Sequence, residues 1–180
     1  MKILDKTISF AEKVKPVTEI LSHLFVIIGV IFAVCQLNIA VDTLKTTKEI
    51  ESGKFIFDFG KYIDTKDDQS IRNAIEDHDE NFHLLKKQGG KFSDNDIEAY
   101  IGKFETIGDF DKRNLINHSM TYNELSYSVE KAWCNKDIRR HIDDVRLEDG
   151  GRDSKFFINF ENLARSFLKR DKKEECLNLN

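Results

Sequence analysis

The chain has 180 residues, with 28 lysines and arginines against 32 aspartates and glutamates and a formal net charge of −4. This balance excludes a generic nucleic-acid binder, which needs surplus basic side chains to neutralise phosphates. Of the three cysteines, Cys134 and Cys176 show no spacing of a disulfide framework or a zinc site, so no metal or other cofactor is expected.

Residues 1–19 place Ile3, Leu4, Ile8, Ala11 and Val14 on one helical face with lysines elsewhere, the pattern of a short amphipathic helix lying in a membrane interface. Pro16, the only proline, predicts that a helix breaks or begins there, since proline removes one backbone donor. From Ile20 to Val41 run 22 residues without Asp, Glu, Lys or Arg, bracketed by Glu19 and Asp42. At about 1.5 Å of rise per residue that length crosses a hydrocarbon core roughly 30 Å thick. The run is too long, and begins too far from the start, for a cleaved signal peptide. Residues 20–41 are therefore expected to be one transmembrane helix.

Its orientation is balanced on charge: Lys2, Lys6, Lys13 and Lys15 precede it, and Lys45, Lys48, Lys54 and Lys61 follow it. With no disulfide framework expected, the soluble part is assigned to the cytosol.

Residues 42–170 read as a soluble helical bundle, and residues 171–180 as a charged tail expected to fray. Nothing stops the first helix before Gly53, and Phe55, Phe59 and Tyr62 keep a helical spacing. Thr65 to Gln69 reads as a loop, followed by a helix from about Ser70 to Lys87 that Gly89-Gly90 ends. Ser93-x-x-Asp96 caps a helix with Ile97, Ile101, Phe104 and Ile107 as its buried stripe. Thr121-x-x-Glu124 is a capping box opening a long helix with Leu125, Val129, Trp133, Ile138, Ile142 and Val145 towards the core. A last helix starts near Ser154 and buries Phe156, Phe157, Phe160, Leu163, Phe167 and Leu168. Strand alternation is absent, so the fold class is all-α.

No phosphate loop, nucleophile elbow or Cys/His cluster is present. Glu76, Asp77, His78, Asp79, Glu80 and His83 crowd one stretch, but the two histidines are spaced wrongly for ligands on one helical face, so a solvated surface is expected. Arg139, Arg140, His141 and Arg146 are interleaved with Asp137, Asp143 and Asp144, as on a salt-bridged helix face. Within the span, Ser22, Gly29, Ala33, Gln36 and Ala40 share a stripe. Gly29-x3-Ala33 is a small-residue step that lets helices approach, and Gln36 and Asn38 are costly against lipid.

The remaining motif is Arg113-Asn114-Leu115-Ile116-Asn117-His118. It resembles the signature of the HEPN superfamily, helical bundles that include metal-independent ribonucleases. The resemblance implies that Arg113 clamps phosphate, that His118 acts as acid or base, and that two protomers combine into one site. Arg72-Asn73 to His78 is a second match, set aside because Arg113 and His118 stand where a helix N-terminus favours an anion.

One span, a helical bundle and a single divergent motif together resemble the membrane accessory proteins of type VI-B CRISPR systems. That likeness implies a homo-oligomeric pore in the bacterial inner membrane that strengthens RNA-targeting antiphage defence. Its partners would be further copies of the chain and the RNA-guided effector or its RNA products. A tethered HEPN ribonuclease or toxin, and a tethered interaction domain without activity, are the competing readings. Phe104-Glu105-x-Ile107-Gly108 followed by Trp133 also resembles uncharacterised single-span families of bacteria and phages.

Overall fold

A computed structural model describes residues 2–77, 83–148, 155–173 and 176, and for residues 2–19 the backbone alone. The described residues are mainly helical, with one isolated bridge between Leu85 and Phe92 and no strand among them. The chain divides into two compact units, Met1–Thr47 and Lys48–Asn180.

Helix α1 spans Lys2–Tyr62 and runs without interruption through Pro16. The expected break is absent because proline removes only one hydrogen bond of the ladder, and the turns on either side continue. Between Ile20 and Val41 its large apolar side chains are 51–66 % exposed, so none of the described residues covers them. This is one helix near the N-terminus long and apolar enough to cross a membrane.

In the second unit α1 buries Ser52, Ile56 and Phe59, and Ile63 just past its end continues the three-to-four-residue spacing. Tyr62, expected in that stripe, is exposed. Helix α2 is Lys66–Glu76. It begins earlier than expected because Thr65 and Asp68 form a reciprocal capping box, so the predicted loop over 65–69 is the first turn of a helix. Asp68 is also buried against Lys103, Oδ2 to Nζ 2.6 Å, with the Lys103 ammonium over the Tyr62 ring. The helix ends at Glu76 rather than Lys87. Leu84 and Leu85 enter the core from non-helical backbone, and the Leu84 N–H donates to Asp137 at 2.8 Å. A short 3-10 turn, Lys86–Gln88, leads to Gly90, where a Cβ would fall 2.0 Å from the His83 carbonyl oxygen.

Helix α3, Asp94–Lys112, opens on the Ser93–Asp96 capping box and buries Ile97, Ile101, Phe104 and Ile107 completely, as expected. Helix α4 is His118–Cys134 and α5 is Lys136–Glu148. The single long helix expected here is two. Asn117, not Thr121, is the N-cap, and Thr121 is buried one turn in, its hydroxyl donating to the Asn117 carbonyl. Asn135 then separates the two helices and its side-chain oxygen accepts from the Asp137 and Ile138 N–H groups.

Helix α6, Ile158–Arg170, follows a turn at Lys155–Phe157, with Phe157 at φ +52°. The predicted start at Ser154 lies outside the described residues. Phe160, Leu163, Phe167 and Leu168 are buried as expected, whereas Phe156 and Phe157 are half-buried.

The α3–α6 contact is the most extensive in the unit. Phe104 stacks on Phe160 at 5.7 Å between ring centres, and Trp133 meets Phe160 edge-on at 5.5 Å. Glu105 caps the start of α6, accepting from the Asn159 amide at 2.8 Å and the Phe160 N–H at 2.7 Å. Gly108 lets the backbones touch: a Cβ there would lie 2.4 Å from the Asn159 carbonyl oxygen. The Phe-Glu-x-Ile-Gly run and Trp133 thus form the lock between these helices.

Glu161 of α6 bonds Arg146 at 2.9 Å and Arg165 at 2.8 Å. Burial pushes its carboxyl up, but the two guanidiniums outweigh this and hold it below the ordinary range. The unfolded chain therefore takes up the proton first as pH falls, and stability is lost as pH drops from the ordinary glutamate value, about 4.3, through the lower folded value. Melting temperature is expected to fall below about pH 4, with a smaller fall in Glu161→Gln, as thermal melts across pH would record.

The tail does not fray at its described residues. The Tyr122 hydroxyl donates to Asp171, Lys173 pairs with Glu130, and Cys176 forms a disulfide with Cys134, their Cα atoms 5.2 Å apart. This corrects the expectation drawn from cysteine spacing. The helices between positions 134 and 176 fold back to bring two distant thiols together, which sequence separation does not reveal.

Candidate functional site at the α3–α4 turn

Arg113 and His118 lie on either side of the turn between α3 and α4. Helix α3 ends in a Schellman motif: Asn114 takes a left-handed conformation at φ +55°, its N–H donates to Asp111 O, and the Leu115 N–H reaches back to Phe110 O at 3.0 Å. Ile116 then turns inward, 6 % exposed. The Asn117 N–H donates to the buried Ser52 hydroxyl of α1 at 2.6 Å, fixing the turn against that helix. Phe55 of α1 packs on Phe110, ring centres 5.4 Å apart.

His118 is the first residue of α4, with half of its side chain exposed. Its Nδ1 sits 2.9 Å from the Asp111 carboxylate, and its ring packs against Phe167 at 5.6 Å. An ionised Asp111 places the proton on Nδ1, which leaves Nε2 as the ring's acceptor. The pair is an oriented imidazole. Asp111 went unrecognised in the sequence because it is seven positions upstream, across a turn whose geometry Asn114 sets.

Arg113 is 66 % exposed and forms an ion pair with Asp109 at 2.9 Å. The anion-binding helix end expected here is already occupied. The Asn117 side chain accepts from the Ser119 and Met120 N–H groups at 2.9 and 3.2 Å, and the Thr121 N–H bonds the Asn117 carbonyl. Two carboxylates beside the motif and a capped helix end do not form a ready phosphate clamp; a phosphate would have to displace Asp109 from Arg113. One imidazole also supplies one proton-transfer group, whereas cleavage of a phosphodiester by acid–base catalysis uses two.

The runner-up pair is not brought together among the described residues. Arg72 pairs with Asp64 at 2.8 Å, and His78 lies outside them. On α5, Arg139 has Asp143 one turn along the same helix, whereas His141 and Arg146 find partners on other elements. His141 is buried with Nε2 2.9 Å from Glu98, and Arg146 bonds Glu161 and the Phe156 carbonyl. Among the described residues no group of His, Cys, Asp and Glu is arranged to hold a metal ion.

In the first unit, Gly29, Ala33, Gln36 and Asn38 are all exposed, and nothing lies within 4 Å of a Cβ built on Gly29. No family model matches the chain, and neither a curated protein nor a solved structure is significantly similar to it.

Proposed function

We propose that this chain is a single-pass accessory protein of the bacterial inner membrane that strengthens RNA-targeting antiphage defence by assembling into a homo-oligomeric pore. Its bundle, HEPN-like in kind, lies in the cytosol, where it meets the RNA-guided effector or the RNA that effector produces. The observation that carries this reading is the uncovered span. A lone helix leaves the amide of Gln36 facing lipid, and copies of the chain packed along the Gly29–Ala33 stripe, which Gln36 shares, would cover it. One helix encloses no aqueous path, so a pore requires several copies.

Because no neighbouring atom of the chain crowds Gly29, replacing Gly29 and Ala33 together by leucine leaves the monomer's own packing intact and obstructs only contacts between copies. Depolarisation of cells expressing the double variant is expected to fall at least about tenfold relative to wild type, a loss equivalent to about 1.4 kcal/mol of assembly energy. Unchanged depolarisation would contradict the proposed contact.

The oriented Asp111–His118 pair supports a second reading, a tethered metal-independent ribonuclease or toxin, in which a second copy supplies the other proton-transfer group. Arg113→Ala with His118→Ala is expected to cost about 1–2 kcal/mol of stability, because the pairs it removes are at least half exposed on one side. In a phage-challenge assay the double variant retains protection if the pore carries function, and loses it if nuclease chemistry does. Loss of protection with Arg72→Ala/His78→Ala alone would move the motif to that pair. A tethered interaction domain without activity remains the third reading, distinguished by protection without either depolarisation or RNA cleavage.

A further inference from the structure

We propose that Cys134 and Cys176 form a redox latch that holds the C-terminal segment along α4 when bonded and releases it when reduced. The segment touches α4 at successive points along the helix. Asp171 meets Tyr122, Lys173 meets Glu130, and Cys176 is bonded to Cys134. The Arg139 guanidinium lies over the Trp133 ring at 5.4 Å and donates to the Cys176 carbonyl at 3.4 Å, which ties the latch to the neighbouring indole.

The non-covalent anchors are few: the Tyr122–Asp171 bond, and one ion pair in which Lys173 is half exposed and Glu130 is buried. The covalent bond adds the link at the far end of the segment, and once it is broken these anchors alone work against the freedom of a chain end. Among the described residues the fully buried apolar side chains, Phe104, Phe160 and Phe167 among them, all precede residue 171, and Cys176 packs on this core only partly buried. Release therefore leaves a folded bundle with a newly uncovered face on α4. That face begins one turn from His118, because Tyr122 contacts both Asp171 and Phe167, and Phe167 contacts His118.

The chemistry is thiol–disulfide exchange. A thiolate of a dithiol reductant attacks one sulfur and breaks the S–S bond. The reductant's second thiol then resolves the mixed disulfide, leaving Cys134 and Cys176 as two thiols and the reductant as its own disulfide. Glutathione disulfide drives the reverse reaction. Both cysteines are half-buried, so small thiols can reach them. In the reducing cytosol the latch rests open, and pairing reports oxidation.

The test uses the full chain in detergent micelles with Cys35→Ser, which removes the remaining cysteine. Dithiothreitol should convert a protein with no alkylatable thiol into one with two, and glutathione disulfide should reverse this. Hydrogen exchange at residues 171–173 and 176 should rise at least about tenfold on reduction, as expected for a segment set free. Emission of Trp133, the chain's only tryptophan, should shift in step. Cys176→Ser should match reduced wild type in all buffers. Titration of two thiols without any change in exchange would overturn the latch, as would failure to re-pair. Quantitative pairing in unstressed cells would overturn it too, marking a permanent bond and a soluble unit outside the cytosol. Pairing only after oxidant challenge is the result expected.

Discussion

Replacing Ile27 and Ile31 together by arginine is expected to move the protein from the membrane to the soluble or aggregated fraction. Both side chains are 58 % exposed on the apolar stretch of α1, so neither change disturbs packing within the chain. Each arginine near the centre of a span costs about 3 kcal/mol for insertion, and each lost isoleucine adds about 0.5 kcal/mol. The sum, about 7 kcal/mol, corresponds to roughly a 10⁵-fold change in partitioning. Wild type should stay in the pellet after carbonate washing and require detergent, while the variant should not. The same pair of substitutions at Leu44 and Ile50, exposed on α1 beyond Asp42, should leave partitioning unchanged. A carbonate-soluble wild type would remove the membrane reading altogether.

The second large effect is expected at the lock between α3 and α6. Phe104→Ala removes a fully buried ring from between Tyr100, at 5.2 Å, and Phe160, at 5.7 Å. Buried phenylalanine truncations cost about 3–5 kcal/mol, against a total stability on the order of 5–15 kcal/mol. Gly108→Ala reaches the same contact from the backbone side. Its new methyl group overlaps the Asn159 carbonyl, which belongs to the chain rather than to a movable side chain, so α3 and α6 must separate at a cost of about 2 kcal/mol or more. Phe57→Ala, on the exposed side of α1, should change stability by less than about 0.5 kcal/mol. Denaturant titration of the solubilised chain, followed by far-UV circular dichroism, measures all three. A cost below about 1 kcal/mol for Phe104→Ala would show that the packing described is not formed.

What the sequence revealed follows from how local each signal is. The long apolar run of α1 is a matter of length and the α3 stripe a matter of period, each within one element, and both were legible as helices. The Phe-Glu-x-Ile-Gly run was visible as a motif, but its meaning was not, because Glu105 and Gly108 act on Asn159 and Phe160 more than fifty positions away. The α4–α5 break left a trace: the stripe steps by four at Leu125, Val129 and Trp133, by five to Ile138, then by four to Ile142. That extra residue is where Asn135 ends one helix and caps the next. The start of α4 was misread because Thr121-x-x-Glu124 carries the letters of a capping box, yet Asn117 caps the helix one turn earlier and the Thr121 N–H already bonds the Asn117 carbonyl. At the candidate site, Arg113 and His118 were singled out, but their carboxylate partners Asp109 and Asp111 were not weighed. Those partners bear on the chemistry, since Asp109 occupies the guanidinium that the motif alone offers to phosphate and Asp111 holds the imidazole.

Assembly of copies of this chain through the exposed apolar stretch of α1 is tested most directly by mass photometry of the full-length protein, purified in detergent without crosslinking. A single species of several copies is expected, which the Gly29→Leu/Ala33→Leu variant breaks into smaller ones. A monomer or simple dimer of wild type at working concentration would contradict the pore and favour a tethered pair of HEPN-like bundles.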